Sequence, residues 1–209
     1  HSLLASNRMK RAIEERVGAR ARDGLYRTAY NNFTFAWLAV MFWLFSRMPD
    51  RVIYEVRRPW SLLMRAGQIG GALMILDAAT RVGFGRFTGI QQAFEYLRDG
   101  DPKREPPAQG PLLEGDLKRA TGGVFRVSRH PTNLAPTIVV WLQPKMTVSW
   151  LTFATVGSAY SFFGSILEER RVRDVYQDAY DLYRLRAPFF APLPVLRGRP
   201  EGVRGEAIR

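Results

Sequence analysis

Apolar and charged residues are segregated along this chain into long alternating blocks, a pattern that predicts helices of near-spanning length joined by basic connections. Residues 3–30 read as an amphipathic basic helix or helix pair, with Arg8, Lys10, Arg11, Arg16, Arg20, Arg22 and Arg27 set against only Glu14, Glu15 and Asp23. The stretch 33–45 (FTFAWLAVMFWLF) carries no charge. Extended to 30–47, it approaches the ~17–25 residues that a spanning helix needs, and Tyr30, Trp37 and Trp43 suit interfacial anchors. Pro49 and Pro59 break the polar connection that follows. A second apolar block occupies 60–80, where Gly67 and Gly71 have the small-xxx-small spacing that lets helix backbones approach closely. Arg65 and Asp77 fall inside it. In a membrane span they would face a partner or a cavity; on a soluble amphipathic helix they would simply be solvated.

Residues 81–98 return to an amphipathic pattern, and 99–116 form a Pro-, Gly- and charge-rich loop. From Thr132 to Leu167 the only ionised side chain is Lys145. Within it, 132–141 is short and Pro136 should kink it. Gln143, Pro144 and Lys145 make a turn, and 146–167 is the longer return arm, so 132–167 reads as a helical hairpin. A charged helix follows over 168–186 with Tyr176, Tyr180 and Tyr183 at helical spacing; 187–194 (APFFAPLP) ends it, and 192–209 is a basic tail. The expected fold is a single domain over 1–209, all-α, a multi-pass integral membrane helical bundle. Counting spans puts the N-terminal basic helix, 81–131 and everything after Glu168 on one side. The larger number of Lys and Arg there assigns that side to the cytoplasm of a bacterial inner membrane, although 47–59 is also positive. Because the chain opens mid-pattern at His1, an upstream segment is expected; one further helix there would place the native N-terminus outside.

Composition changes this picture little. With 46% hydrophobic residues in 209 and a mean hydropathy of −0.18, the average resembles a soluble protein only because charged ends dilute apolar blocks. The absence of cysteine excludes disulfides, thiolate zinc sites and a cysteine nucleophile, and no metal site is expected. A net charge of +12 suits nucleic acid, anionic lipid or cytoplasmic loops. Lys and Arg flank apolar blocks rather than interleave with aromatics, so membrane lipid is the expected partner and nucleic acid is not.

The candidate chemistry sits at the two ends of the hairpin. Arg129-His130-Pro131 precedes it and Glu168-Glu169-Arg170 follows it, so an in-and-out segment returns both clusters to one water boundary. Pro131 at a helix start has no amide to leave unsatisfied, and the free amides of that turn can face an anion. Arg126 and Arg129 add donors for a carboxylate, while Glu168 or Glu169 can accept from hydroxyl or amino groups. These needs match a zwitterionic nucleoside-type ligand; the plainer alternative is a juxtamembrane charge cluster.

The segment GGVFRVSRHPTN, followed by the hairpin, Glu-Glu and the tyrosine helix ending in APFFAP, resembles the isoprenylcysteine carboxyl methyltransferase and phospholipid methyltransferase superfamily. HSLLASNRMK, GIQQAFEYLR and the W-x-x-P-x-M-T turn look most like its NnrU-like branch, which includes methanethiol S-methyltransferase. The resemblance covers nearly the whole chain. It implies a membrane enzyme using S-adenosylmethionine. The cofactor pocket would fall on Gly123, Phe125, Arg126, Arg129, His130, Pro131, Asn133, Glu168, Glu169, Tyr180 and Tyr183, with His1, Gln91 and Gln92 bordering a small or lipid-soluble acceptor. A carboxylate acceptor needs no base, whereas a thiol could use His130, Glu168 or Glu169. The chain departs from the family pattern at Asn133, where a tyrosine is usual, at Ala135 and Gln177, where glycines are, and at Ala187-Pro188, where Val-Pro is. The NnrU-like likeness makes a thiol or similar small acceptor the first expectation, while the departures allow an acceptor other than methanethiol. An isoprenylcysteine-type or lipid methyltransferase and a non-catalytic assembly protein are the alternatives.

Overall fold

The computed structural model describes residues 7–103 and 122–190, so His1, the tail 192–209 and residues 104–116 of the expected loop lie outside the described residues. The chain is mainly helical, as its periodicities require. Helix α1 (Asn7–Val17) turns at Gly18 into α2 (Ala19–Arg47). Strand β1 (Val52–Glu55) leads to α3 (Trp60–Val82), followed by the short α4 (Phe84–Thr88) and by α5 (Ile90–Asp99). After the loop come α6 (Val124–Val127), α7 (Pro131–Trp141), strand β2 (Lys145–Thr147) and α8 (Val148–Arg186).

Two boundaries differ from expectation. The basic segment and the apolar block after it are not separate helices, because nothing at Tyr30 interrupts the helix and α2 runs through both. The connection after α2 is not only polar loop: β1 pairs antiparallel with β2, Val52 opposite Thr147 and Glu55 opposite Lys145. This ties it to the turn of the hairpin. The first arm of the hairpin is short, as its sequence predicts: α7 includes Pro136 and, at about 1.5 Å per residue, reaches only ~16 Å, half of the ~30 Å apolar thickness of a bilayer.

The helices pack through their small residues. A Cβ on Gly71 would lie 2.7 Å from Val139 and 3.2 Å from the Ala135 carbonyl, and one on Gly67 would collide with Leu142. The pair thus seats α3 against α7, where Gln68 also donates to the Val139 carbonyl at 3.2 Å. Large apolar side chains point outward instead. Phe35, Trp37, Leu63, Ile69 and Leu73 are 60–68% exposed while Ala78, Ala79, Ala135 and Ala154 are buried. In water each large side chain left out would forgo about 1.5–3 kcal/mol of burial. Among the described residues α3 is the one helix long and apolar enough to cross a membrane, and only 17% of its most apolar stretch is buried inside the protein.

Apart from Met146 on β2, the larger buried apolar side chains collect at the far end of α3, away from the strands. Phe125, Val172, Tyr180 and Tyr183 form one cluster there with Ala78 and Ala187. Asp77 belongs to this end too. It pairs with Arg81 at 2.8 Å and accepts from the Val124 amide at 3.0 Å, so it fixes the start of α6 and faces partners rather than being simply solvated.

Candidate active site

The hairpin brings its two charged ends together. His130 closes the turn before α7, with its carbonyl accepting from the Asn133 and Leu134 amides at 3.1 and 2.9 Å and Pro131 filling the first helical position. Its imidazole is 4% exposed; Nδ1 lies 3.4 Å from Glu168 Oε2 and Nε2 lies 3.5 Å from Glu169 Oε1. Nε2 is buried and makes no close hydrogen bond, Glu169 Oε1 at 3.5 Å standing at the outer limit for one. A buried nitrogen so weakly satisfied can take a closer partner.

Glu169 is the centre of a part-buried ion-pair network. Its Oε1 accepts from Arg129 Nε at 2.6 Å and from the Tyr180 hydroxyl at 2.8 Å. Burial acts to raise the Glu169 pKa, but His130, Arg129 and Tyr180 together outweigh it and bring it down to about 2. Burial likewise acts to lower the His130 pKa; hydrogen bonding and charge from Glu168 and Glu169 reverse this, and the imidazole sits above its ordinary 6.5. Tyr180 is pushed up, first by burial and then by Glu169.

Tyr180 reaches Glu169 because α8 is broken. In an unbroken helix, eleven residues would separate the two by about 16 Å along the axis. Gln177, at φ 41° and ψ −116°, folds the last turns back so that Tyr180 meets Glu169 and Tyr183 donates to the Phe125 carbonyl at 2.7 Å. This is the position where the related pattern carries glycine.

The chain after α8 then returns across the site. The Arg129 amide donates to the Pro188 carbonyl at 2.9 Å, Arg129 Nη1 to the Ala187 carbonyl at 2.7 Å, and Ser128 Oγ to the Phe189 carbonyl at 3.0 Å. Ser128 Oγ also accepts from the His130 amide at 3.1 Å. The Phe189 ring ends 5.0 Å from the His130 ring, and the Arg129 guanidinium lies 5.7 Å from the Phe189 centroid.

Of the residues expected at the site, Arg129, His130, Pro131, Asn133, Glu168, Glu169, Tyr180, Tyr183 and Phe125 gather here. Asn133 donates to Ser165 Oγ at 2.8 Å and approaches Glu168 Oε2 at 3.5 Å, bridging the two arms of the hairpin where a tyrosine was expected. Gly123, at φ 54°, lies under the Arg81 guanidinium with no room for a Cβ, and Arg126 is exposed. Gln91 and Gln92 sit elsewhere, on α5 against α2. Gln91 is exposed and donates to Glu95 at 2.9 Å; Gln92 is buried and donates to the Arg86 carbonyl at 3.2 Å. Among the described residues no hydrogen bond or ring contact joins either to the His130 cluster.

Ser128, Ser165 and the Phe189-Phe190 pair escaped sequence reasoning. The two serines look like any others in sequence. The phenylalanines were legible only as the end of a helix.

No family model matches the chain, and no solved structure matches it significantly. Curated proteins do. Methanethiol S-methyltransferase 1 of Bradyrhizobium diazoefficiens is 27% identical over 193 residues, which cover 92% of this chain and 62% of that protein. Methanethiol S-methyltransferase of Pseudomonas deceptionensis is 28% identical over 163 residues, 78% of this chain and 57% of that protein. The enzyme of the same name from Crocosphaera subtropica is 24% identical over 155 residues, covering 74% and 52%. The chain is therefore similar to methanethiol S-methyltransferases over most of its own length, and it spans 52–62% of theirs.

Proposed function

We propose that this chain is an S-adenosylmethionine-dependent methyltransferase embedded in a membrane, acting on a small or lipid-soluble acceptor, a thiol first. The similarity to enzymes of that name supports the reaction class. One observation carries the site: Arg129-His130 and Glu168-Glu169, separated by the hairpin, meet around a buried imidazole whose two nitrogens lie 3.4 and 3.5 Å from the carboxylates. The outward-facing apolar side chains of α2, α3 and α8 support a multi-pass bundle, and the larger number of Lys and Arg on the His130 side supports placing that end in the cytoplasm.

The residues present fit such a cofactor. Among the described residues Glu168 Oε1 and Glu169 Oε2 accept no hydrogen bond from the protein, so they remain for an ammonium and for ribose hydroxyls. Arg126 is exposed at the rim for a carboxylate. When bound, S-adenosylmethionine supplies a methyl already electrophilic on its sulfonium, so attack by an acceptor lone pair leaves the bonding pair on the sulfur of S-adenosylhomocysteine. The protein's part is alignment and exclusion of water. A thiol acceptor also gives up a proton. Neutral His130, through Nε2, stands where it can take one, and Glu168 is the alternative base.

Calorimetric titration of the detergent-purified protein with S-adenosylhomocysteine tests this. Micromolar binding that Glu168→Ala abolishes is the expected result. Failure of the folded protein to bind would favour the second reading, a non-catalytic membrane protein of the same fold, which the Asn133–Ser165 bridge in place of a tyrosine supports.

A further inference from the structure

The surroundings of His130 divide into two chemically distinct halves. One holds Arg129, Glu168, Glu169 and Asn133. The other is wholly aromatic: Phe189 lies 5.0 Å from His130 and 5.0 Å from Phe190, and Phe162 of α8 meets the two at 5.6 and 5.9 Å. Three hydrogen bonds from Ser128 and Arg129 hold the backbone of this strap in place, so the rings form a built wall rather than a loose end. Phe162 stands about 9 Å along α8 from Glu168, toward the apolar arm, and it is 44% exposed beside Phe163 at 64%. The wall therefore connects the imidazole to the outward apolar face of the hairpin.

The geometry points to Phe162, Phe189 and Phe190 as the acceptor side of the site, with Phe162 and Phe190 setting how large an acceptor can be. This rests on the methyltransferase reading above. A charged cofactor is matched by the polar half. Its purine is poorly matched by the aromatic half, because Phe189 and Phe190 already stack on each other at 26° and no two parallel rings stand apart to sandwich a base. Ring nitrogens and an amino group would also find no hydrogen-bonding side chain among the three phenylalanines. A small apolar nucleophile needs none. Aromatic rings further favour both sulfur and the positive charge that disperses as a methyl is transferred.

The test uses nanodisc-embedded protein, saturated with S-adenosylhomocysteine, and a series of n-alkyl methyl sulfides as neutral probes of the acceptor space. Binding is read from the rise in unfolding temperature. The unaltered protein should respond to the shortest members and stop at a defined chain length. Phe190→Ala and Phe162→Ala should move that limit to longer chains, each newly admitted methylene tightening binding about fourfold, with S-adenosylhomocysteine affinity held within about threefold. Phe162→Leu, which keeps most of the volume, should leave the limit in place; it also remains readable if an alanine variant does not fold. An unchanged limit in both alanine variants overturns this inference alone. A tenfold loss of S-adenosylhomocysteine affinity in them overturns it too, since the wall would then hold the cofactor. Absence of cofactor binding in the unaltered protein overturns both this inference and the reading beneath it.

Discussion

Gln177 offers a test in which the sign of the effect decides. At φ 41° and ψ −116° its backbone occupies a region natural to glycine, where a residue with a Cβ is strained by roughly 1–3 kcal/mol. Glycine removes that strain but loses about 0.5–1 kcal/mol more to the unfolded chain. Gln177→Gly should then be more stable than Gln177→Ala by about 0.5–2 kcal/mol, by the difference of those two terms. Were α8 continuous through 177, the order would reverse, because glycine inside a helix is about 0.8–1.0 kcal/mol worse than alanine. The alanine variant is the proper reference, since both substitutions remove the same exposed side chain. Apparent unfolding temperatures in one detergent at one scan rate give the comparison, and about 2–4 °C per kcal/mol is expected for a chain of this size. The glycine variant should melt above the alanine variant. Alanine melting above glycine would refute the break in α8, and with it the explanation of how Tyr180 reaches Glu169.

The other expectations concern packing and charge. Gly71→Val should lower the unfolding temperature by the equivalent of about 1–3 kcal/mol through overpacking of α3 against α7, whereas Gly70→Val, with nothing within 4 Å of its Cβ position, should be neutral or slightly stabilising, since valine is the better helix former. Arg129→Ala should destabilise by about 1.5–3 kcal/mol because Glu169 loses its guanidinium donor while keeping Tyr180 and His130, a loss visible as a lowered melting temperature. For His130, labelled-histidine NMR should show a titration midpoint above 6.5, falling in Glu168→Gln. A raised folded-state pKa means that the stabilising charge is fully present below 6.5 and is lost as pH rises through the folded midpoint, while the Glu169 contribution is present above its ordinary 4.5 and is lost only as pH falls through about 2. If neutral His130 is the base, the rate of thiol methylation should rise with pH through that same His130 midpoint; a rate that ignores it assigns the proton elsewhere.

What the sequence made legible was periodicity and the ends of the hairpin. An uncharged run flanked by Arg129-His130 and Glu168-Glu169 could be read as two clusters meeting, because a helical hairpin returns its ends to one level whatever its side chains do. The Gly67–Gly71 spacing was legible for the same reason: a close helix crossing follows from local residue size. Asp77 could not be placed, since its role depends on the amide of Val124, 47 residues away. Nor could Ser128, whose hydroxyl accepts from the next residue but one and donates to a strap 61 residues on.

The strap shows why the remainder resisted. Ala187 to Phe190 looks from sequence like the end of a helix, and its phenylalanines like ordinary apolar residues before a basic tail. Their position depends on the break at Gln177, which turns the last part of α8 back toward Phe125 and lets Ala187 and Pro188 present carbonyls to Arg129. One backbone angle thus settles which side chains face His130 from the apolar side. The polar half of the site follows from sequence-local clusters at the hairpin ends, and the aromatic half from that long-range return of the chain. Substitutions at Gln177 should accordingly disturb the placement of Phe189 and Phe190 more than the meeting of His130 with Glu168, because the latter is fixed by α7 and the part of α8 that precedes the break.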